Sequence, residues 1–489
     1  MYAILWCLHL KFLYFYEICK QAYILYLFFM NNSINEIINS QRSYFKSGKT
    51  LPVAYRIEML KALYKEILAR EEEIHQALYK DLGKPYAEVI SSEISVLLID
   101  IKLMRNNLKN WSQPKRIPSS IINFPSSDWI LAEPYGNTLH ISPWNYPFQL
   151  ALGPLVGAVA AGNTVLLKPS ENAPHTSQVV AKIIKAVFDP GFVTVVQGGP
   201  DVASELLQQR WDYIFFTGGV EIGKIVAKAA AEHLTPTTLE LGGKNPCIVD
   251  ETANIAVSAR RIVWGKFFNC GQTCIAPDYI LVHHSIHSQF VSALTKEIER
   301  AFGKQVDQSN DYGRIINNNH FNRLKTLLDN QNILFGGNSD AETRFLSPTL
   351  VTVDNLDSEL MRHEIFGPIL PIMAYQELEE VHAIIHSFEK PLSFYMFSER
   401  KKIAKKMLET HSYGGGAIND TIIQFANPKL PFGGVGHSGM GSYHGKASFD
   451  TFTHFKPYVY RPTWFDPKQR YAPYGKSFPI LIKVLRWFN

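Results

Sequence analysis

The sequence predicts an α/β protein with a doubly wound parallel sheet and a second α/β domain. Three observations support this. From Thr138 onward, short apolar strands alternate with helices, the pattern of a parallel sheet sandwiched between helical layers. The chain has 489 residues, 46% of them hydrophobic, enough for two or more cores. The glycine-bearing turn Gly218–Gly223 joins an apolar strand to a helix.

Residues 1–29 are crowded with Leu, Ile, Tyr, Phe and Trp and interrupted by Lys11, Glu17 and Lys20. The uncharged stretches are too short for a comfortable bilayer span. The first reading is translation assigned from an upstream start, with Met30 opening the chain; the second is a membrane anchor. Residues 34–111 carry apolar positions three and four apart and read as helices, broken at Gly83-Lys84-Pro85. Pro114–Pro134 reads as irregular connection. The first alternating block then sets strands at Thr138–Ile141, Thr164–Leu167, Val193–Gln197, Tyr213–Phe216, Thr237–Leu241 and Cys247–Val249. Helices fall at Phe148–Ala161, His175–Phe188, Val202–Gln209 and Glu221–His233. A second block runs from Asp278 to about Ala417, and the break between the two falls near Gly242-Gly243-Lys244. The expected domains are 30–241, which includes the helical N-terminal part and a dinucleotide-type sheet, 242–417, and a return segment with its tail at 418–489. The proline-bearing tail after Phe455 is expected to lie extended across a surface. Its last apolar run, from Phe478, reads as a terminal helix on a subunit or domain, and secondarily as a membrane-surface contact.

Forty-nine basic against 44 acidic residues leave a net charge of +5, without a dense Lys/Arg block, so nucleic-acid binding is not indicated. Five cysteines, Cys7, Cys19, Cys247, Cys270 and Cys274, are too few and odd in number for a disulfide framework and fit a reducing, cytoplasmic compartment.

Ligands in such sheets sit beyond the carboxyl ends of the strands. Gly218 to Gly223 could place backbone N–H groups on a pyrophosphate, or be an ordinary strand–helix turn. Lys168 and Glu171 could meet ribose hydroxyls, or be solvated charge. In Asn269-Cys270-Gly271-Gln272-Thr273-Cys274 the spacing fits neither a zinc site nor a C-x-x-C redox pair. A nucleophilic thiolate and a buried structural thiol both stay open. Glu240, at an apolar strand end, suits either a general base of raised pKa or a paired structural acid. Asn145, in Pro143-Trp144-Asn145-Tyr146-Pro147, could hold an oxyanion or cap a helix.

Together these motifs resemble the aldehyde dehydrogenase superfamily, most closely its class 3 branch, which includes fatty aldehyde dehydrogenases. The resemblance runs from about Ser40 to Tyr471. It is carried by Pro143–Pro147, Lys168–Glu171, Phe216–Gly223, Leu239–Pro246, Phe268–Cys274, Glu364–Pro368 and Leu430–Gly436, with 34 residues between Glu240 and Cys274. The class 3 leaning rests on His233–Thr238, Cys274–Tyr279 and Tyr443–Lys446.

The resemblance implies an aldehyde dehydrogenase-like fold, a catalytic second domain and an oligomerisation tail. Cys274 would then be the nucleophile, Glu240 the base for the hydrolytic water, and Asn145, with the Cys274 N–H, the oxyanion hole. Trp144, Lys168, Glu171, Thr217, Gly218, Gly219, Gly223, Glu364 and Phe366 would contact the cofactor. Gly219 departs from many relatives, which place Ser there. The implied reaction is NAD(P)-dependent oxidation of medium- or long-chain aliphatic or aromatic aldehydes to acids through a thiohemiacetal and thioester. Glu171 would favour NAD over NADP, although class 3 relatives often accept either. No metal is implied, and the short tail implies a homodimer. The alternatives are an acyl-transferring relative of the same fold and a non-catalytic binding protein. The intact trio Cys274, Glu240 and Asn145 counts against the latter.

Overall fold

The computed structural model describes residues 34–475 and 478–487. The apolar stretch 1–29 lies outside the described residues.

The N-terminal third is helical for the reasons its periodicity suggests. Helix Val53–Ala69 buries Leu60, Leu63 and Ile67 on one face. Helix Glu71–Leu82 opens with three glutamates and stops at Gly83, which takes the left-handed conformation (φ 59°). Helix Ser95–Trp111 buries Leu97, Ile101, Met104 and Leu108. These helices cover one face of a six-stranded sheet together with Gln149–Ala161, a helix buried along its whole length. Its small residues permit that depth. A Cβ at Gly157 would lie 2.6 Å from Ser448 Cβ.

The six-stranded sheet runs Gly439–Met440, Thr237–Glu240, Tyr213–Thr217, Asn137–Ile141, Thr164–Lys168, Val193–Val195. All neighbours are parallel except the short Gly439–Met440 edge, which pairs antiparallel with Leu239 and Glu240. Pro246–Val249 belongs to a second sheet of seven strands. Its order is Asn332–Phe335, Thr349–Thr352, Ile369–Tyr375, Tyr279–His283, Pro246–Val249, Ser393–Phe397, Gly415–Ile418, and only the first edge strand is antiparallel. Thr237–Glu240 and Pro246–Val249 are thus consecutive in the chain yet lie in different sheets.

Residues 114–134 are not irregular. Lys115–Ile117 and Ser127–Pro134 form a three-stranded antiparallel sheet with Thr453–Tyr460. The pairing partner lies more than 300 residues away, beyond the reach of a local pattern. The proline-bearing tail is extended through this strand, whose outer residues Tyr458, Val459 and Tyr460 are exposed. Phe478–Trp487 is a helix. Among the described residues no helix is long and apolar enough to cross a membrane.

Candidate active site

Adjacent parallel strands bring their carboxyl ends to one edge of the six-stranded sheet. Ile141 leads into Trp144 and Asn145, Thr217 into Gly218, and Glu240 into Leu241 and Gly242. The Gly218 N–H donates to the Glu240 carbonyl oxygen at 3.0 Å, locking two of these ends together. Helix Val220–Glu232 begins at Gly219, whose extended backbone carries no side-chain cap. A Cβ at Gly223 would lie 2.7 Å from Leu241, so the helix packs closely on the strand end. A Cβ at Gly219 would meet nothing within 4 Å.

The thiol arrives on a left-handed turn. Asn269, Cys270 and Gly271 have φ values of 53°, 57° and 73°. Side-chain amides hold this costly geometry in place. Asn269 Nδ2 donates to the Asn145 carbonyl (2.8 Å) and to that of Gln272 (3.1 Å). Gln272 bridges the turn to the Arg314 carbonyl and the Ile316 N–H. Asn245 Nδ2 donates to the carbonyls of Cys274 (2.7 Å) and Ala276 (3.0 Å). Asn145 Nδ2 donates to the Gln272 carbonyl at 3.1 Å, which fixes the amide beside the turn. Asn145 lies in the segment before helix Gln149–Ala161 but makes no capping bond to it.

Of the three described cysteines, Cys247 and Cys270 are buried and Cys274 is partly exposed. Two cavities meet at Cys274. One, of about 490 Å³, is lined by Trp144, Asn145, Gly218, Gly219, Glu364 and Phe366, among others. The other, of about 280 Å³, is apolar and lined by side chains such as Trp264, Phe268, Ile422, Phe425 and Tyr443. Thr217, Glu240, Leu241, Leu150 and Cys274 border both. Trp144 packs edge-on to Phe366 with ring centroids 5.3 Å apart.

Electrostatics favour neutral forms here. Burial pushes the Cys274 thiol well above its ordinary value, and the carboxylates of Glu364 and Glu240 push it further. Burial also raises Glu240 strongly; among the described residues neither of its oxygens has a hydrogen-bond partner. Glu364 is pushed up to about 8, first by burial and then by Asp278.

Cys274, Glu240, Asn145, Trp144, Thr217, Gly218, Gly219, Glu364 and Phe366 therefore all line the larger cavity. Gly223 stands behind it as a packing residue. Lys168 and Glu171 end the neighbouring strand outside that lining and pair with each other at 2.8 Å. Sequence reasoning missed the apolar cavity, whose residues resemble ordinary core, and the amides of Asn245, Asn269 and Gln272. Asn269 and Gln272 stand in the motif that carried the thiol, and their positions were the available signal.

A dinucleotide-type sheet whose strand ends border a cavity beside a partly exposed thiol and a buried carboxylate has the arrangement of a nicotinamide-dependent oxidoreductase. Comparison with known proteins makes this specific. The aldehyde dehydrogenase family profile matches residues 29–458, and the chain belongs to that family. It is 48% identical over 452 residues to the 4,4'-diaponeurosporen-aldehyde dehydrogenase of Staphylococcus aureus (strain NCTC 8325 / PS 47), covering 92% of this chain and 98% of that one. It is 43% identical over 450 residues to the dimeric NADP-preferring aldehyde dehydrogenase of Rattus norvegicus, covering 92% and 99%. The solved substrate-bound state of Staphylococcus aureus AldH superposes with a TM-score of 0.91 at 47% identity, covering 92% and 99%. The protein is an aldehyde-oxidising enzyme of the class 3 type, and its family uses NAD or NADP.

The larger cavity fits a dinucleotide on its own features. Its volume lies in the range of cofactor clefts. The Thr217 hydroxyl is unpartnered, and the Gly219 backbone is open.

Proposed function

We propose that Cys274 attacks the aldehyde, that Asn145 steadies the resulting oxyanion, and that Glu240 is the base for hydrolysis. The observation that carries this reading is the position of Cys274 and Glu240 at the junction of the two cavities, beside a fixed Asn145 amide. The apolar cavity takes the hydrocarbon part of a medium- or long-chain aliphatic or aromatic aldehyde. The sulfur bonds to the carbonyl carbon, and negative charge develops on oxygen within reach of the Asn145 amide and the Cys274 N–H. A bound nicotinamide ring supplies the hydride acceptor. The acyl group is left on Cys274 as a thioester, and water deprotonated by Glu240 releases the acid. An acyl-transferring relative has no need of that base.

Trp144, Thr217, Gly218, Gly219, Glu364 and Phe366 would hold the dinucleotide, with Gly223 setting the helix against the strand end. Lys168 and Glu171 would meet the adenosine ribose. The ion pair between them reduces the charge facing a 2′-phosphate, which supports use of NADP beside NAD. For the domains we propose 30–241, 242–417 and 418–489; the change from the six-stranded to the seven-stranded sheet between Glu240 and Pro246 supports the first boundary. We also propose a homodimer and a cytoplasmic setting with peripheral membrane contact. The exposed edge strand Thr453–Tyr460 supports the first. The described free cysteines and the short helix with Lys483 and Arg486 support the second.

Cys274→Ala should abolish aldehyde-dependent NAD(P) reduction while dinucleotide binding, followed by fluorescence, persists. Full turnover in that variant would overturn the reading.

A further inference from the structure

Two buried polar groups in the apolar cavity have no part in the chemistry so far. Gln149 is 2% exposed, and its Nε2 has no hydrogen-bond partner among the described residues. Tyr443 is 1% exposed, and its hydroxyl has none either. Both line the cavity that Cys274 and Glu240 border. A Cβ at Gly153 would sit 3.1 Å from Gln149 Nε2 and 3.9 Å from Tyr443 Cε2, so the two side chains converge behind one point of the wall. Leaving a buried polar group unpartnered is costly. A cavity serving only a hydrocarbon would be better walled by Leu and Phe.

We propose that Gln149 and Tyr443, together with Glu240, form the seat of the water that hydrolyses the acyl-enzyme. The inference rests on the reading of Cys274 as the acylated residue. A buried water needs two to four polar partners, and this corner supplies three. Gln149 Nε2 donates to the water oxygen. The water donates one hydrogen to a Glu240 oxygen and the other to the Tyr443 oxygen. Its remaining lone pair is then free for the acyl carbon. In the step itself, the water oxygen bonds to that carbon and a water proton passes to the Glu240 carboxylate. The carbon–sulfur bond breaks, the sulfur leaves as thiolate, and the acid departs with the second hydrogen. Burial keeps Tyr443 protonated, and Glu240, Cys274 and Asp100 oppose its ionisation; this outweighs the Gln149 amide, which is directed at the Tyr443 oxygen without completing a hydrogen bond to it, so Tyr443 stays a neutral partner rather than a competing base.

The test uses the full-length enzyme with NAD and octanal, comparing wild type with Gln149→Leu and Tyr443→Phe. Both substitutions nearly conserve volume. Single-turnover NADH formation should keep its wild-type rate in both variants, and the KM for octanal should not rise. Steady-state turnover should fall by about 100-fold, the loss expected from a misplaced reactant. An octanoyl adduct on Cys274 should accumulate in intact-protein mass spectra. Hydroxylamine, which attacks a thioester without a held water, should restore turnover. Gln149→Leu should melt close to wild type, because the amide nitrogen it removes makes no hydrogen bond among the described residues. Unchanged turnover in both variants would overturn the water seat, as would hydride transfer slowing in step with turnover or a rise in KM alone. A wild-type enzyme that forms no Cys274 adduct, even when quenched early, would overturn the nucleophile reading instead.

Discussion

Gly271 sits where the thiol turn meets the loop carrying Glu364 and Phe366, and Gly271→Ala tests whether that contact sets the active geometry. The residue has φ 73°, where an alanine costs roughly 1–2 kcal/mol. Its new Cβ would overlap the Gly367 carbonyl oxygen and lie 2.5 Å from the carbonyl carbon and 3.0 Å from Pro368 N. These are backbone atoms, so no side chain can swing aside. About 1 Å must be found between the two loops, an overpacking cost of about 1–3 kcal/mol. The expected total is about 2–5 kcal/mol, read as a fall in melting temperature of roughly 2–5 °C for a chain of this length. The separation also moves Cys274 relative to Glu364 and Phe366. A 1 Å misplacement should lower kcat/KM by about 100-fold while Cys274 remains open to alkylation. Wild-type melting and wild-type kcat/KM together would show that the turn is not wedged against Gly367 and Pro368.

Glu364→Gln should change thiol reactivity only in alkaline solution. Glu364 titrates near 8, so it is neutral below that pH and opposes Cys274 ionisation only above it. Iodoacetamide labelling of Cys274 in dinucleotide-free protein should match wild type at pH 6 and run faster at pH 9; a difference at pH 6 alone would contradict this. Lys84→Met should cost about 3–5 kcal/mol in urea unfolding, because it leaves the fully buried Glu93 without its cation. Adding Glu93→Gln should recover most of the loss, since a neutral amide oxygen still accepts the N–H groups of Phe148 and Gln149. A double variant no better than the single would refute that account.

The first sheet was legible because each parallel strand is a short apolar run bounded by its own helix, and both are local patterns. Cys274, Glu240 and Asn145 were legible as candidates because each stands in an unusual neighbourhood: a thiol in a polar turn, a carboxylate at an apolar strand end, an amide among aromatics. What stayed hidden depends on contacts between distant segments. Lys84 reads locally as part of a helix break, yet it pairs in the interior with Glu93 and reaches the Asn145 carbonyl. Trp264, Phe425 and Tyr443 read as core because nothing in a periodic pattern marks an apolar side chain that faces a cavity. Gly271 signals a turn, but nothing local signals that Asn269 and Cys270 before it are also left-handed; the hydrogen bonds of Asn269 and Gln272 hold them there.

Bonding also separates the proposed base from the structural carboxylates. Asp81 accepts from the backbone of His175 and Thr176. Glu93 is met by Lys84, Asp250 by Arg400, and Asp278 by Lys244. Each of these buried acids is engaged by donors, which suits it for holding elements together and leaves its oxygens less open to a reacting group. Glu240 has no such partner on either oxygen. Glu205 shares that lack, but it lies on helix Pro200–Leu207 and lines neither cavity at Cys274. An unpartnered buried acid therefore marks chemistry only when a reactive group shares its cavity, and among the buried carboxylates Glu240 meets both conditions. Its missing partners weaken the resting fold, and they leave its oxygens open, as the proposed base for an attacking water requires.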